Sequence, residues 1–324
     1  MDSKDLEIIE RIEQILMPYA TARREQLHGR NGRLVHYTSA ENAIKILYSK
    51  QVWMRNAKCM ADYMEVSHGH QMLLQFFSQP EKRGAFCKAL NACHPNVGEE
   101  ALHFFDQWWQ NNIQFEIYVT SISEHDDSED TYGRLSMWRA FGRVPAARAA
   151  IVMKLPRPEA VTGLHVTLSP VAYFDYINVE KQLKKVISNI KKHNEFRKTL
   201  EKDRLRDAVF ITLLNAAVSL KHEGFREERE WRIVYVPRIH QSKVVSFNTE
   251  IIEGVPQLVY KIPLKDSPED GIVGVEIATL VDRVIIGPSA YPVPISQAFA
   301  LALYNAGMTD AGTRVVVSNI PLRP

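Results

Sequence analysis

The sequence predicts a single α+β domain with helical insertions. Short apolar runs typical of strands alternate with longer amphipathic segments typical of helices along its 324 residues. No internal repeat is visible, and no stretch rich in glycine, serine or proline divides the chain. These observations favour one mixed domain over two domains joined by a linker.

The composition excludes several classes of protein. A net charge of +2, 45% hydrophobic and 24% charged residues are ordinary for a soluble globular protein. No apolar run is long enough to span a membrane, and the N-terminus lacks the pattern of a signal peptide. The three cysteines form no C-x-x-C pair, which argues against a disulfide framework or a zinc ribbon. We therefore expect a reduced, cytoplasmic protein with no membrane contact.

The N-terminal segment is predicted to be separate from the domain. Leu6, Ile9, Ile12 and Leu16 recur at helical spacing, and Pro18 is expected to end this helix. We interpret residues 1–33 as an N-terminal helix and linker, and residues 34–324 as the domain.

The domain opens with a strand, a helix and a second strand. "LVHY" (34–37) predicts a short strand, and "QVWM" (51–54) predicts the second. Between them, Thr38 and Glu41 have the spacing of a capping box that begins a helix.

Helices and strands alternate through the rest of the chain. Helical insertions are predicted at about 64–112 and 177–222, with a short helix at 134–142 and another at 295–307. Further strands are predicted at 115–123, 147–155, 257–262, 280–288 and 313–321, and 124–133 is predicted to be a polar loop.

One strand carries an unusual number of charges. It begins within "KHEGFREEREWRIVYVP" (221–237). Since alternate residues of a strand share a face, Glu228, Glu230 and Arg232 are predicted to lie together, opposite Trp231. The charged face fits either a solvated edge strand with salt bridges or a pair of carboxylates with separate acid and base roles.

His36 lies in an apolar strand directly before the predicted helix cap. It fits either a structural histidine or a ligand contact, because free backbone N–H groups collect at helix N-termini. Asp62, Glu65, His68 and His70 lack the spacing of a metal site, so no metal is predicted. Glycine-rich phosphate loops and G-x-S-x-G elbows are absent from the sequence.

Residues 181–206 carry ten lysines and arginines with acids interleaved. This run fits either a solvated helix face or a surface that follows a phosphate backbone.

Several motifs, in order, resemble the bacterial family of unknown function numbered 2971. They begin with "LVHYTSAENAIKILYSKQVWM" and "ADYME", continue with "SISEHDDSEDTYGRLSMWRAFG" and "FREEREWR", and end with "VIIGP" and "SNIP". The resemblance runs from about residue 34 to the end. "ADYME" departs from the Asn-Asp-Pro that the family usually has there.

The order of these elements also resembles the ADP-ribosyltransferase fold. That fold has a histidine or arginine on its first strand, a tyrosine or serine element on a middle strand, and a glutamate on a later strand. His36, Ser121 or Ser123, and Glu228-x-Glu230 match these elements in order. The resemblance implies an ADP-ribosyltransferase-like split β-sheet core.

The resemblance also implies NAD as the substrate. Glu230 would stabilise an oxocarbenium-like state at the nicotinamide ribose, and Glu228 would orient or deprotonate the acceptor. His36 would bind the adenosine ribose, a serine would form the floor under the nicotinamide ribose, and an arginine would reach the diphosphate. The implied NAD-binding residues are His36, Tyr37, Thr38, Ser121, Ser123, Trp138, Arg139 and Arg232.

We therefore expect an NAD-dependent ADP-ribosyltransferase that modifies a macromolecule, with RNA or DNA favoured over protein because of the basic run. A bacterial toxin or anti-phage effector, restrained by an antitoxin or another inhibitory partner, would have this activity. The alternatives are an NAD glycohydrolase and a non-catalytic module that binds nucleotides or nucleic acid.

Overall fold

The computed structural model describes residues 3–60, 65–140 and 147–321. Helices and a mixed β-sheet make up the fold, which confirms the α+β class. The chain divides into two compact units. The helical unit comprises Met1–Gln26, Ala57–Ile117 and Ser169–Arg226, and the sheet unit comprises Leu27–Asn56, Tyr118–Leu168 and Glu227–Pro324.

The helices are α1 (Ser3–Leu16), α2 (Pro18–Gly29), α3 (Ala40–Ser49), α4 (Glu65–Phe77), α5 (Pro80–Asn91), α6 (Val97–Gln110), α7 (Leu135–Ala140), α8 (Pro158–Gly163), α9 (Tyr176–Lys192), α10 (Asn194–Lys198), α11 (Lys202–Ser219), α12 (Ile277–Leu280) and α13 (Pro292–Asn305). Short 3₁₀ turns include Asp127–Glu129 and Glu223–Glu228.

The strands are β1 (Arg33–Ser39), β2 (Gln51–Asn56), β3 (Tyr118–His125), β4 (Arg148–Met153), β5 (Thr167–Pro170), β6 (Ala172–Tyr173), β7 (Leu220–Lys221), β8 (Glu230–Tyr235), β9 (Ser246–Ile252), β10 (Val255–Pro263), β11 (Val281–Ile286) and β12 (Val315–Val317).

Two local predictions are corrected at the start of the chain. The stretch after Pro18 was predicted to be a linker, but α2 begins at this proline, which needs no hydrogen-bonded N–H in the first turn of a helix. The cap of α3 is Ser39 rather than Thr38, because Oγ of Ser39 accepts from the backbone N–H of Asn42 at 3.1 Å. β1 therefore extends two residues beyond the predicted strand.

The helical unit is built on amphipathic helices. In α9, Val179, Leu183, Val186, Ile187 and Ile190 are buried at helical spacing. The side chain of Asp175 caps its first turn by accepting from the N–H of Asn178 at 2.8 Å. α4 to α6 and α9 to α11 lie where helical insertions were predicted.

The sheet unit is organised around β1, β3 and β4. The strand order is β12-β11-β4-β1-β3-β2-β10-β9, while β8 pairs with both β3 and β5. β11 and β12 are parallel, whereas β1 pairs antiparallel with β3 on one side and with β4 on the other. Leu47 and Phe299 belong to the core that α3 and α13 form with the sheet, whereas Tyr37 and Trp138 belong to a second apolar cluster with α7.

Candidate active site

The sheet branches at β3. One edge of β3 pairs with β8 over Tyr118–Ser123. On the other edge, β1 pairs with residues 123–125 and β2 pairs with residues 118–119. Residues 120–122 lie between these two registers, so β1 and β2 diverge here. We call this divergence the fork.

His36 lies at the fork. Its Nδ1 is 3.0 Å from the backbone carbonyl oxygen of Ser121. A carbonyl only accepts, so Nδ1 carries the proton in this hydrogen bond. Burial lowers the pKa of His36, and the bond to the Ser121 carbonyl opposes that shift. A neutral imidazole therefore satisfies a carbonyl that neither β1 nor β2 reaches in its register.

Glu230 lies at the start of β8, and hydrogen bonds from Ser121 and Arg232 hold its carboxylate. Ser121 Oγ donates to Oε1 at 2.5 Å, and Arg232 donates from Nε to Oε1 at 2.8 Å and from Nη2 to Oε2 at 3.2 Å. Glu230 and Arg232 are only 5% and 3% exposed. The predicted alternation from Glu230 to Arg232 is confirmed, because Arg232 pairs with Ser121 and Glu230 pairs with Ser123 in the register of β3 and β8.

Ser121 connects the two predicted halves of the site. Its carbonyl accepts from His36, and its hydroxyl donates to Glu230. His36 itself lies with Ile122 and Ile233 along an apolar cavity of about 80 Å³. By strand alternation, this is the face of the sheet opposite to Glu230.

The predicted pairing of Glu228 with Glu230 on one strand face is wrong. Glu228 ends a 3₁₀ turn, and Arg229 has a φ of +43°, in the left-handed region, so β8 begins only at Glu230. The carbonyl of Glu228 accepts from Nη1 of Arg134 at 3.1 Å. The backbone turn at Arg229 breaks the two-residue alternation that the prediction assumed.

Tyr37 and Trp138 are core residues, which contrasts with their predicted contact with NAD. Their rings pack edge to face at 4.9 Å, and Trp138 is 0% exposed. Trp138 Nε1 donates to the carbonyl of Tyr132, and the Tyr37 hydroxyl accepts from the N–H of Arg134. Burial raises the pKa of Tyr37 to about 12. A fully buried indole leaves no surface for a ligand.

The other predicted binding residues differ in access. Ser123 is buried at 3% exposure, Thr38 and Ser121 are half-buried, and Arg139 is exposed on the last turn of α7. Asp62 lies outside the described residues, and the side chain of Glu65 is likewise not described. Among the predicted binding residues near Glu230, Ser121 is therefore the accessible one, and on α7 it is Arg139.

A network of ion pairs fixes the backbone just before Glu230. Arg229 pairs with Asp126 and with Glu129, the latter at 2.7 Å. Arg134 bonds to Glu129 and to the carbonyls of residues 227 and 228. Sequence reasoning missed this role, although the acidic run 124–130 and the bases around Glu230 are complementary in charge. The charge of Arg229, directly before β8, is thus structural.

Glu124 is a second buried glutamate, and its role is structural. It is 3% exposed and pairs with Arg30 at 2.6 Å. Its Oε1 accepts from the indole N–H of Trp231 at 3.0 Å. It lies in β3, on the face opposite to Ser121, so it offers a comparison for Glu230.

The basic run of 181–206 is partly neutralised. Five of its cations form ion pairs, and Arg197 is 1% exposed and donates to the carbonyls of Ile190 and Ala89. The paired cations are Lys184, Lys198, Lys202, Arg204 and Arg206. Lys181, Lys185, Lys191 and Lys192 are exposed and form no ion pair with the described part of the chain. A contact with phosphates would fall to these four.

The described residues also bear on metal and membrane binding. Within residues 3–60, 65–140 and 147–321, no group of three or more histidines, cysteines, aspartates or glutamates could hold a metal ion. The helices of these same residues include none that is both long and apolar enough to cross a membrane.

Residues 137–233 match the family described as "Protein of unknown function (DUF2971)". This match confirms the predicted resemblance to that family over a segment that includes Trp138 and Glu230. No curated protein and no solved structure matches the chain.

Proposed function

We propose that this protein is an NAD-dependent ADP-ribosyltransferase centred on Glu230. The observation that carries the proposal is the buried carboxylate of Glu230, held by Ser121 and Arg232 beside the fork of the sheet. Fixed hydrogen bonds keep such a group in one orientation before the substrate arrives, so little reorganisation is needed during the reaction.

The chemistry of NAD cleavage needs such a carboxylate. Breaking the nicotinamide–ribose bond develops positive charge on the ribose, as in glycoside cleavage. A negative group aimed at that charge stabilises the transition state more than the ground state. Ser121 positions the carboxylate in this proposal. Arg232 is committed to Glu230, so the exposed Arg139 is the better candidate for the diphosphate.

The branching of the sheet supports an ADP-ribosyltransferase-like core. β1 and β2 separate at the fork, and the residues that match the fold's histidine, serine and glutamate meet there through Ser121. Because His36 lies on the face of the sheet opposite to Glu230, it acts in this proposal through the Ser121 carbonyl and not by contact with an NAD molecule bound at Glu230.

The position of Glu228 favours a second candidate, an NAD glycohydrolase. Glu228 was expected to activate a macromolecular acceptor, but it lies outside β8 and its backbone is held by Arg134. Water as the acceptor needs no such dedicated residue. For a transferase, the four exposed lysines of α9 that form no ion pair with the described residues favour a nucleic acid acceptor, and a cell that makes it would need an inhibitory partner.

The test uses NAD labelled in its adenylate phosphate, with nicotinamide release measured in parallel. Purified chain is incubated with RNA, DNA or mixed protein. Label transfer to one class identifies the transferase, and nicotinamide release without transfer identifies the glycohydrolase. Glu227→Gln is the matched control for Glu230→Gln, because Glu227 is an exposed neighbour. If no mixture releases nicotinamide but the chain still binds NAD, the protein is a non-catalytic binding module.

A further inference from the structure

The helical unit contains an apolar cavity of about 120 Å³. α9 and α11 supply two walls, and the junction of α1 and α2 at Met17 supplies another. The described residues of its wall include no charged side chain. An engineered apolar cavity of about 150 Å³ admits one benzene ring. The cavity is therefore close to the size of a molecule with a single small ring.

Most polar side chains of the wall have hydrogen-bond partners. Tyr19 donates to the carbonyl of Val171 at 3.2 Å, and Thr212 donates to the carbonyl of residue 208 at 2.8 Å. The hydroxyls of Ser169 and Ser219 lie 3.0 Å apart and bond to each other. These groups need no ligand.

Asn215 and Gln182 are different. Nδ2 of Asn215 and Oε1 of Gln182 are buried without a hydrogen-bond partner among the described residues. Asn215 is 6% exposed and interrupts the apolar run of α11. Buried polar atoms are nearly always paired with protein, water or ligand. One orphan is a donor and the other an acceptor, and both residues line the same cavity.

We infer that this cavity binds a small neutral molecule with a ring-sized apolar body and one carboxamide or hydroxyl group. Such a group accepts from Asn215 and donates to Gln182. A carboxamide or hydroxyl group also fits either orientation of the Asn215 amide, because it can both donate and accept a hydrogen bond. A charged ligand is excluded by the apolar wall, since an unpaired ion there would lose its hydration without compensation. The site is independent of Glu230 and of the proposed activity.

Calorimetric titration of the purified chain with four probes tests the inference. Benzamide and benzyl alcohol should bind, toluene should bind more weakly, and benzoate should not bind. Asn215→Leu removes the donor at similar volume, so it should weaken benzamide binding roughly three- to tenfold, the effect of one hydrogen bond. Toluene binding should not weaken in this variant. Tighter binding of benzamide than of benzyl alcohol would identify the natural ligand as an amide. Tighter binding of benzyl alcohol would identify it as an alcohol.

Two further variants keep the outcome clear. Ala216→Phe should fill the cavity and abolish binding of every probe, with circular dichroism confirming the fold. Asn305→Leu, an exposed asparagine at the end of α13, should leave all four affinities unchanged. Absence of binding by any probe to the native chain would overturn the site. So would equal benzamide affinity in the native chain and in Asn215→Leu, or benzoate binding as tight as benzamide.

Discussion

The hydroxyl of Ser121 donates to the carboxylate of Glu230 over 2.5 Å. The same residue accepts from His36 through its carbonyl. A single position on β3 therefore connects the candidate catalytic group on one face of the sheet to His36 on the other face. Substitutions at Glu230 and His36 can be compared as changes on two sides of Ser121.

Glu230→Gln is expected to lower NAD turnover roughly 10²- to 10³-fold, the effect of losing one preorganised electrostatic group. Glutamine keeps an acceptor for Ser121 but loses the negative charge that the proposed mechanism directs at the ribose. Nicotinamide release measures the change.

Glu124→Gln is the control, because Glu124 is also buried and ion-paired. Both variants leave an arginine with a weaker partner and should be less stable, as chemical denaturation can show. Turnover per folded molecule should fall only in Glu230→Gln. Equal turnover in the two variants would remove Glu230 from the mechanism.

Two substitutions separate the roles of the two ring nitrogens of His36. Asparagine places a donor near the position of Nδ1, and glutamine places its terminal group near Nε2. His36→Asn should keep the bond to the Ser121 carbonyl, the free energy of unfolding and NAD binding, because the His36 side chain lies on the face opposite to Glu230. His36→Gln should lose roughly 1–3 kcal/mol of stability, because the buried carbonyl loses its donor. Titration calorimetry with NAD and denaturation measure both effects. Weaker NAD binding by His36→Asn would contradict this expectation and show that the His36 side chain itself contacts NAD.

If the exposed lysines of α9 contact phosphates, nucleic-acid binding should depend on salt concentration through them. Reversal of Lys185, Lys191 and Lys192 to glutamate should weaken RNA or DNA binding for every sequence. It should also reduce the slope of log affinity against log salt by about 0.7 to 0.9 per lost phosphate contact. Reversal of Lys45, Lys243 and Lys265, which are exposed in the sheet unit, changes the net charge equally and should leave the slope unchanged. Equal effects in the two sets would show that only net charge matters.

His70 predicts a pH dependence of stability. Burial lowers the pKa of His70 to about 4, and its ring stacks on Trp109 at 3.8 Å. The unfolded chain binds the proton more readily, with a pKa of ~6.5. The contribution to stability is therefore complete above pH ~6.5 and is lost as pH falls towards about 4. Its size is at most about 3 kcal/mol, and less because the side chain is only partly buried.

His70→Phe keeps the stacking but does not titrate. Chemical denaturation across this pH range should give a flatter profile for the variant than for the native chain. A residual slope is expected from His36 and His125, since burial also lowers their pKa values. An identical slope in both proteins would contradict the assignment.

Gly287 gives a packing prediction. A Cβ at this position would lie 2.9 Å from Cε3 of Trp138 and 3.0 Å from Cβ of Arg148. Gly287→Ala should therefore cost roughly 1–3 kcal/mol in the free energy of unfolding, the usual range for overpacking. Gly312→Ala is the control, because nothing lies within 4 Å of the added methyl. A neutral Gly287→Ala would mean that the Trp138 cluster can move apart.

Periodicity in the sequence was enough to predict most helices and strands. The strand at 34–37, the helices of 64–112 and 177–222 and the strands near 257–262 and 280–288 are present. β9 was missed because its residues are mostly exposed and polar, as befits an edge strand. α2 was missed because Pro18 was interpreted only as a helix end.

The candidate site was less predictable because it depends on contacts distant in sequence. The pair of Glu230 and Arg232 follows from strand alternation. The left-handed Arg229 has no such pattern, so Glu228 was wrongly placed beside Glu230. Nor could the pattern of the short helix at 134–142 tell whether Trp138 faced solvent or a core, since that depends on Gly133 and Gly287, which lie beside the indole.

The branching of β3 has a consequence for how the protein forms during translation. The Ser121–Glu230 contact joins residues 109 positions apart, and the helical residues 169–226 are synthesised between them. At about 5–20 residues per second, roughly 5 to 20 seconds pass before β8 follows β3 from the ribosome. Contacts between residues so far apart in the sequence also form slowly during folding. A nascent chain therefore lacks the completed carboxylate site for seconds, even after β3 has been made.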